Sequence, residues 1–518
     1  MTSETLMALA LVLPWLGAVG IWLTGSAPNL REAVTLTTAV LTWLCVLPLL
    51  LRVLDGARPE VAYFEIFSGI GFGFALEPLG MVFATVASTL WIVSSVYSIG
   101  YMRGNDEPRQ TPFYVCFAIA IGAALGTSFA ANLLVLFLFY EILTISTYPL
   151  VAHKGTEEAQ QGGRVYLLLL LGTSMLLFLP AIVWTAVAAG TTDFTPGGIL
   201  AGSGLGATAL GVLYTVFIFG IGKAAVMPVH AWLPAAMVAP TPVSALLHAV
   251  AVVKAGVFTV VKVTVYIFGL DLLAETGASS FIAYVAGATV VIASLIALSH
   301  DNFKKRLAFS TVSQLSYVVM AAAIATPAAI IGATFHIAAH AVSKITLFFA
   351  AGSIYTAAHL TEVSELDGIG RRMPITLFAY TVGALSIIGL PPLVGLWSKW
   401  WIGVGAADAG QFWVLAVLMI SSLLNVAYLL PIVSRGYFAA PRDSGHGHGD
   451  EHGHGDGHGG HDGIAEAPAT CVIAICTTAA LCLALFLGAN HVEALLVQIP
   501  EVPGETVTGS VEGGSDVE

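Results

Sequence analysis

Residues 219–234 read FGIGKAAVMPVHAWLP, and this stretch decides the architecture of the chain. Lys223 stands in an apolar run that two glycines precede and that Pro228 and Pro234 interrupt. Proline removes a backbone hydrogen bond and breaks a helix. At membrane depth, broken backbone persists only where it is buried in protein or lines a water-filled cavity. The stretch therefore predicts an interrupted transmembrane helix beside a transport centre, although a lysine that snorkels to an interface remains the alternative.

A second stretch, ALSIIGLPPLVGLWSKWW at residues 384–401, has the same character. Pro391 and Pro392 interrupt its apolar run, and Lys399 follows closely. Two interrupted helices at corresponding positions of the two halves of a chain are the expected sign of inverted repeats. We predict that the repeats comprise helices 4–8 and helices 9–13.

The composition requires lipid as the solvent of this chain. Of its 518 residues, 57% are hydrophobic and only 10% are charged, with a mean hydropathy of +0.88. A soluble domain carries roughly 25% charged residues, and a membrane span needs about 20 mostly apolar residues. The sequence predicts an all-α polytopic membrane protein with helices at 5–24, 33–53, 78–101, 112–128, 130–151, 165–189, 207–227, 241–267, 279–299, 307–325, 327–357, 374–395, 411–434 and 467–488.

Shorter features complete the predicted organisation. Segments 229–238 and 395–404 are expected to be the second halves of broken helices 7 and 12, and the glycine-rich segment 61–77 to be a hairpin on the membrane surface. The apolar run 6–23 lacks a charged start and a clear cleavage site, so it is predicted to be helix 1 rather than a signal peptide. Five regions follow, namely 1–111 with helices 1–3, the first repeat 112–267, the second repeat 279–434, a His-rich linker 435–466, and helix 14 with an acidic tail at 467–518.

The placement of basic residues predicts the orientation. Lysine and arginine favour cytoplasmic loops. With the N-terminus outside, twelve basic residues fall in inside loops and only Arg52 and Arg58 in outside loops. Both termini are then outside a cell inner membrane, and the His-rich linker is cytoplasmic. The twelve inside residues are Arg31, Arg103, Arg109, Lys154, Arg164, Lys304, Lys305, Arg306, Arg371, Arg372, Arg435 and Arg442.

Other classes of function find no support in the composition. Lysine and arginine total 19 and form no basic, aromatic-laced patch, so nucleic-acid binding is not expected. The five cysteines lie in apolar stretches without metal spacing and are expected to be core residues. No cofactor motif is apparent in the chain. Much of the formal charge of −12 comes from acidic residues in the 443–466 segment and in the C-terminal tail.

Five lysines lie within the hydrophobic segments and carry the chemical information. An ionisable group at the bilayer centre costs at least about 2.5–3.5 kcal/mol and faces protein or water when it persists. Burial also brings a lysine within reach of neutral pH, which suits a proton pathway. The predicted proton path comprises Glu141, Lys223, His248, Lys254, His336, His340, Lys344 and Lys399. For the fifth lysine, Lys262, snorkelling and function are equally open.

Glu141 lies in the middle of helix 5, in VLFLFYEILTISTYPLV. A lone buried carboxylate takes up a proton and becomes neutral, whereas a nearby lysine holds it charged. We predict that Glu141 and Lys223 form such a pair. The alternative is a protonated glutamate that serves packing only.

Histidines recur beside the lysines of helices 8 and 11. His248 and Lys254 are six residues apart and so point to different faces of one helix. His336, His340 and Lys344 repeat every four residues and share one face. Histidine accepts a proton on one nitrogen and releases it from the other near neutral pH, so this column predicts a proton relay. A zinc site is the alternative, but a third ligand is not evident.

The segment HGHGDEHGHGDGHGGHDG, residues 446–463, holds six of the fourteen histidines. Such tracts bind Zn²⁺ or Ni²⁺ loosely in some proteins. A passive low-complexity linker is the preferred interpretation.

Five stretches resemble the antiporter-like subunits shared by Mrp-type Na⁺/H⁺ antiporters and respiratory complex I. They are GFGFALEPLG (71–80), FYEILTISTYPL (139–150), KAAVMPVHAWLPAAMVAPTPVSALLHAVAVVKAG (223–256), KKRLAFSTVSQLSY (304–317) and FHIAAHAVSKITLFFAAGSI (335–354). The resemblance implies fourteen helices with two inverted five-helix units and broken helices 7 and 12. It also implies that Glu141 and Lys223 are the family's ion pair and that the other six predicted residues match its central proton path.

Within that family the D subunit of Mrp antiporters is the nearest resemblance. Such subunits act in hetero-oligomers, so partners are expected to be other subunits of an antiporter complex, together with protons, Na⁺ and the lipid bilayer. Three functions remain open at this point: a Na⁺/H⁺ antiporter subunit, a proton-pumping subunit of a complex I-like or hydrogenase-linked redox enzyme, and a subunit of an inorganic-carbon uptake complex. The His-rich segment is not part of the family pattern.

Overall fold

The chain folds into a helical bundle with one small β-hairpin. The structure, a computed structural model, describes residues 1–67, 70–440 and 464–499. Within these ranges, twelve helices are long and apolar enough to cross a membrane, and two further crossings, α7 and α12, each consist of two shorter helices. The prediction of an all-α polytopic fold with broken helices 7 and 12 is thus confirmed.

The helical crossings are α1 (Ser3–Leu23), α2 (Pro28–Leu54), α3 (Pro78–Gly104), α4 (Gln110–Phe129), α5 (Leu133–Val151), α6 (Glu157–Ala189), α7a (Ala207–Gly220), α7b (Val229–Val238), α8 (Thr241–Phe268), α9 (Ser280–Ser299), α10 (Phe303–Ile324), α11 (Pro327–Ala358), α12a (Pro374–Ile388), α12b (Gly395–Asp408), α13 (Phe412–Phe438) and α14 (Ala469–Leu487). Shorter helices are Leu270–Thr276, Ile369–Arg372 and Ala489–Leu496. In each five-helix unit, α4–α8 and α9–α13, the fourth helix is the broken one, as expected of two repeats.

The two breaks bring backbone polar groups to the interior. After α7a ends at Gly220, Lys223 lies in a short 3₁₀ turn, and α7b begins at Val229. The indole of Trp232 donates to the carbonyl oxygen of Gly222 at 3.0 Å and so spans this break. In the second unit, α12a ends at Ile388, Gly389 adopts a left-handed conformation, and α12b begins at Gly395. Carbonyl groups freed at a helix end need other donors, and Lys399 supplies one to the carbonyl of Ile388 at the second break.

Three helices form the centre of the bundle. The most apolar windows of α8, α10 and α11 are entirely buried within the protein, and α11 packs against α3, α8, α10, α12 and α14. Apolar side chains point outward on the peripheral helices: Leu168 and Leu176 of α6 and Met419 of α13 are more than 70% exposed. Apolar residues on the outside and polar residues in the centre fit a lipid-facing surface.

Several predicted boundaries are wrong, and local sequence explains the differences. Helix 6 begins at Glu157 rather than 165, because Thr156 caps Ala159 and two glutamates stabilise the first turn. Predicted helices 7 and 12 each end about seven residues early, at Gly220 and Ile388, where the breaks begin. Arg31 and Arg164, counted as loop residues, lie in the first turns of α2 and within α6.

The predicted hairpin is confirmed. Strands β1 (Glu60–Phe67) and β2 (Ile70–Ala75) pair antiparallel, with Glu60 opposite Ala75. The hairpin leads directly into α3, whose first residue is Pro78, a favoured first helical residue. The end of α3 that carries Glu77 is called the hairpin end of the bundle below. The position of the hairpin relative to a membrane remains a prediction, as do the orientation of the chain and the five region boundaries.

Most of the His-rich linker and the acidic tail lie outside the described residues, as does Arg442. The chain on each side of the linker is anchored on one short helix. The carbonyl oxygen of Arg435 accepts from the amide of Gly368, and that of Arg372 accepts from the amide of Ala465 at 2.8 Å. Glu466 then caps α12a, accepting 2.7 and 2.6 Å hydrogen bonds from the Ile375 amide and the Thr376 hydroxyl.

Gly256 sets how closely α8 approaches the first break. A Cβ at this position would overlap the backbone of Lys223 and Ala224. The absence of a side chain therefore lets α8 lie directly against the turn that carries Lys223.

We expect Gly256→Ala to lower stability by about 1–3 kcal/mol, because overpacking displaces a backbone that cannot move freely. The matched control is Gly172→Ala in α6, where a Cβ meets no atom within 4 Å and alanine favours the helix. Thermal unfolding of the purified complex in detergent measures the difference. Equal melting temperatures for the two variants would contradict the close contact.

Candidate functional site

Glu141 is a buried carboxylate that has no hydrogen-bond partner among the described residues. It lies midway along α5, a helix that Asn132 caps by accepting from the amide of Val135. The residue is 7% exposed, and neither carboxylate oxygen has a hydrogen-bond donor among the described residues. Two free acceptors in an apolar setting demand a proton, a cation or water.

Lys223 is fully buried and lies against the same turn of α5. Its ammonium donates 2.6 Å hydrogen bonds to the carbonyl oxygen of Tyr140 and the hydroxyl of Thr144, and it lies 3.1 Å from the centre of the Tyr140 ring. Within the described ranges, no basic side chain comes within 4.0 Å of the Glu141 carboxylate. The predicted direct contact of Glu141 and Lys223 is therefore absent. The two residues are neighbours through Tyr140, and their action as a pair stays a prediction.

A hydrogen bond joins the central lysine of α8 to the histidine column of α11. The Lys254 ammonium lies 2.7 Å from Nδ1 of His340, and both side chains are about 1% exposed. The Nε2 atom of His340 has no partner among the described residues. One nitrogen thus faces the lysine while the other is free to exchange a proton.

His336 continues the row towards the second break. Its ring centre is 5.9 Å from that of His340, and its Nδ1 is 2.8 Å from the hydroxyl of Ser398 on α12b. Its Nε2 is unpartnered in the described part of the chain, like that of His340. The row Lys254–His340–His336–Ser398 therefore connects α8, α11 and α12b.

Lys399 follows Ser398 and ends the row. Its ammonium donates to the carbonyl oxygen of Ile388 at 2.8 Å, at the end of α12a, and to the hydroxyl of Ser422 at 2.9 Å. The ammonium is also 5.5 Å from the ring of Tyr317, on which His336 stacks. A freed helix carbonyl thus accepts from Lys399 as the Tyr140 carbonyl does from Lys223.

Lys344 extends the predicted column but turns away from the histidines. Its ammonium donates a 2.7 Å hydrogen bond to Ser310 of α10, and Ser310 lies 2.8 Å from the hydroxyl of Tyr428 on α13. Tyr428 in turn donates to the side-chain oxygen of Asn425. This branch leads from α11 through α10 to α13. The four-residue spacing thus predicts that Lys344 shares a face with the two histidines, but it does not predict that Lys344 bonds to Ser310.

A polar cavity lies at the end of α8 opposite the hairpin, and His248 lies about two turns further along α8. The cavity has a volume of about 340 Å³, and its lining includes Tyr101, Thr241 and Lys304. Thr241, Ser244 and His248 follow at helical spacing on α8. The Ser244 hydroxyl and both ring nitrogens of His248 lack partners among the described residues. Unpartnered buried polar atoms in a row indicate a place for water. As expected, His248 makes no direct bond to Lys254.

Two titratable groups lie in the loops near this cavity. The side chains of Glu107 and His153 are 9% and 4% exposed, and they approach each other to 4.0 Å. Burial raises the pKa of the Glu107 carboxyl, although Lys154 and Lys304 oppose this effect. Burial, assisted by Arg109, lowers the pKa of His153. Both directions favour the neutral forms and so weaken this contact as an ion pair.

The structure adds polar partners that the sequence prediction missed. These are Tyr140, Thr144, Ser398, Ser422 and Tyr428, which contact the buried lysines and histidines directly or through one hydroxyl. Serine, threonine and tyrosine are common in apolar helices, so only proximity in space identifies them. Within the described ranges, no group of three or more His, Cys, Asp or Glu side chains could hold a metal ion.

The chain matches a family model described as NADH:quinone oxidoreductase/Mrp antiporter, transmembrane, over residues 130–425. It is 29% identical to NADH-quinone oxidoreductase subunit N of Desulforudis audaxviator, over 71% of this chain and 73% of that protein. It is 31% identical to NAD(P)H-quinone oxidoreductase chain 5 of a Picosynechococcus species, over 63% of this chain. This chain spans about half the length of that second relative.

Two solved structures share the fold along nearly the whole chain. A chain of the Mrp complex from Dietzia sp. superposes with a TM-score of 0.82 at 22% identity, covering 96% of this chain and 97% of that one. A chain of the membrane-bound sulfane sulfur reductase, an archaeal respiratory membrane complex, gives 0.82 at 23% identity, covering 97% and 98%. At these identities the superpositions establish the fold.

A double-mutant cycle tests the contact between Lys254 and His340. We expect Lys254→Met and His340→Phe each to lower proton flux by about tenfold or more, and the double variant to be no worse than the poorer single one, because residues that act as a unit are not additive. Proton flux into vesicles that hold the intact complex measures this with a pH-sensitive dye.

The control combines Lys254→Met with Ser310→Ala, which removes the partner of Lys344 instead. Effects on the flux should multiply in this control pair. Multiplying effects for Lys254→Met and His340→Phe would show that the two side chains act independently.

Proposed function

Because the chain belongs to the NADH:quinone oxidoreductase/Mrp antiporter family of transmembrane proteins, we propose that it is the proton-translocating membrane subunit of a multisubunit Na⁺/H⁺ antiporter. The row Lys254–His340–His336–Ser398 carries this proposal, because it leads from a buried lysine through two histidines, across three helices, to the serine beside the half-buried Lys399. Protons and Na⁺ are the proposed substrates, and other subunits of the complex are the proposed partners.

Proton uptake begins at the polar cavity beside Thr241. Water in the cavity passes a proton past the Ser244 hydroxyl to a ring nitrogen of His248, which has no other partner among the described residues. From His248 the proton reaches the buried lysines of α8 and α11. A lysine in a low-dielectric site gives up its proton readily, because burial disfavours the charged form.

The histidines then carry the proton laterally. His340 accepts it at Nδ1 from the Lys254 ammonium and releases another from Nε2. His336 accepts that proton at Nε2 and releases one from Nδ1 towards Ser398 and Lys399. Each transfer leaves a neutral amine or imidazole that must be recharged from the uptake side. The row therefore moves one charge at a time, with water joining Nε2 of the two rings.

Glu141 and Lys223 act as the switch of the first repeat. While the Lys223 ammonium stays on the Tyr140 carbonyl and Thr144, no basic side chain in the described ranges contacts Glu141. A swing of the lysine from Thr144 to Glu141, one turn away on α5, would create the ion pair and change the charge that Lys254 experiences. A lysine with two alternative positions of this kind couples the protonation of the central row to conformational changes in a neighbouring subunit.

Full-length correspondence does not distinguish the antiporter from the redox pump. The chain aligns with almost the entire chain of the Mrp complex and with almost the entire chain of the sulfane sulfur reductase, and it spans half of the chain 5 relative. The second candidate is a proton-pumping subunit of a quinone oxidoreductase, which the names of the sequence relatives favour. In either case the proposed location is the cell inner membrane, with both termini outside.

The composition of the native complex distinguishes the two candidates. Affinity purification from the native membrane should recover small antiporter subunits. The purified complex should then show Na⁺-dependent proton movement. Recovery of iron–sulfur or flavin subunits with quinone reduction would favour the redox pump instead.

Glu141→Ala should abolish proton-coupled cation exchange while the complex still assembles, because the carboxylate makes no hydrogen bond to the described part of the chain on which packing would depend. Glu275→Ala, at an exposed position in a short helix, is the matched control and should keep normal exchange. Exchange in inverted vesicles, normalised to complex content, measures both. Normal exchange in Glu141→Ala would exclude the switch.

Deletion of residues 446–461 should leave exchange unchanged, because both flanks of the linker are anchored independently of it. The measurement is the same exchange assay with and without added Zn²⁺. A large loss of exchange after the deletion would overturn the interpretation of this segment as a passive linker.

A further inference from the structure

Lys262 forms a buried ion pair at the hairpin end of α8. Its ammonium is 3.0 Å from Oε1 of Glu77, the residue that precedes α3, and it donates to the carbonyl oxygen of Ala130 at 3.0 Å. The lysine side chain is 1% exposed and the glutamate side chain 14%. Lys262 therefore does not snorkel, and both carboxylate oxygens of Glu77 are buried although its side chain is partly exposed.

Aromatic rings enclose the ammonium on its remaining sides. The centres of the Phe194 and Phe258 rings lie 4.4 and 5.4 Å from it. Tyr266, one turn further along α8 and 4% exposed, lies beside Glu77. The positive charge is thus held at a fixed point between the surface and the interior. Such a charge persists in a dry site only because its partner compensates it.

The pair lies on the far side of the proton row from the uptake cavity. Lys254 stands between the two ends of α8, thirteen residues after Thr241 and eight before Lys262. At 1.5 Å per residue these separations are about 20 Å and about 12 Å. A proton that left Lys254 along α8 towards the hairpin would have to pass the Lys262 charge.

We propose that the Glu77–Lys262 ion pair is an electrostatic barrier that prevents protons from leaking between the central row and the hairpin side. This inference rests on the proposed function. A fixed cationic side chain raises the energy of any other cation in a narrow passage, and channels that exclude protons use this device. Glu77 favours the charged form of the lysine and holds it in place. The proton row is thereby confined to its lateral route through α11 and α12.

The experiment compares variants that separate charge from packing. The intact complex in proteoliposomes is given a potassium diffusion potential without Na⁺, and proton leak per complex is recorded. Lys262→Met should raise the leak by about tenfold, because the barrier charge is lost. Lys262→Arg should leak like the native complex, because arginine is always charged and reaches the same carboxylate.

A double variant guards against failure to fold. Glu77→Gln with Lys262→Gln keeps a polar side-chain contact and removes both charges, and it too should leak. The matched control is Glu32→Gln, which breaks the 2.6 Å ion pair with Arg103 at the other end of α3 and should not leak.

Native leak in the assembled double variant would overturn the barrier. Leak in Lys262→Arg equal to that in Lys262→Met would overturn it as well, because the charge would then not be what matters. The Na⁺/H⁺ exchange of the native complex is measured in the same vesicles. Its absence would refute the proposed function, whereas normal native exchange with a tight Lys262→Met variant would refute the barrier alone.

Discussion

A charged side chain cannot remain in lipid or in a dry protein interior without a partner, and this constraint organises the whole molecule. Each buried lysine has at least one oxygen or nitrogen within 3.0 Å. These partners come from different helices, so each lysine also ties helices together. Helices α8 and α11 carry Lys254, Lys262 and Lys344, and together with α10 they are the most deeply buried. The contacts that stabilise the buried charges are therefore also contacts that hold the core helices together.

The breaks in α7 and α12 help to meet the same need for polar partners. A continuous helix satisfies its own carbonyls except those of its last turn, whereas an interrupted one leaves carbonyls available at the break as well. The second break offers the Ile388 carbonyl to Lys399, and the first places the Lys223 ammonium against the Tyr140 carbonyl of α5. Gly256 then lets α8 close over the first turn without a gap. The interruptions thus create polar sites where regular helices would present only side chains.

The sequence predicted much of the fold because apolar length and proline position are local signals. The number of helices, both helix breaks and the hairpin could be predicted from such local signals. The candidate residues were also recognisable, because an ionisable group in an apolar run stands out. Their partners were not: the Lys344 column pointed to His340, yet Lys344 binds Ser310 and His340 binds Lys254. Lys262 could not be assigned, since its counter-ion Glu77 is 185 residues away in the chain. Spacing fixes the face of a helix, but only the packing of other helices decides what that face meets.

The anchoring of residues 435 and 465–466 has an evolutionary consequence. Both flanks of the intervening tract are held on or beside the same short helix, Ile369–Arg372, and Glu466 completes the first turn of α12a. Loop closure between fixed ends costs only about 0.6 kcal/mol more for each doubling of length. Natural selection can therefore lengthen, shorten or recode that tract almost freely, and related proteins are free to differ most there while their membrane cores stay alike.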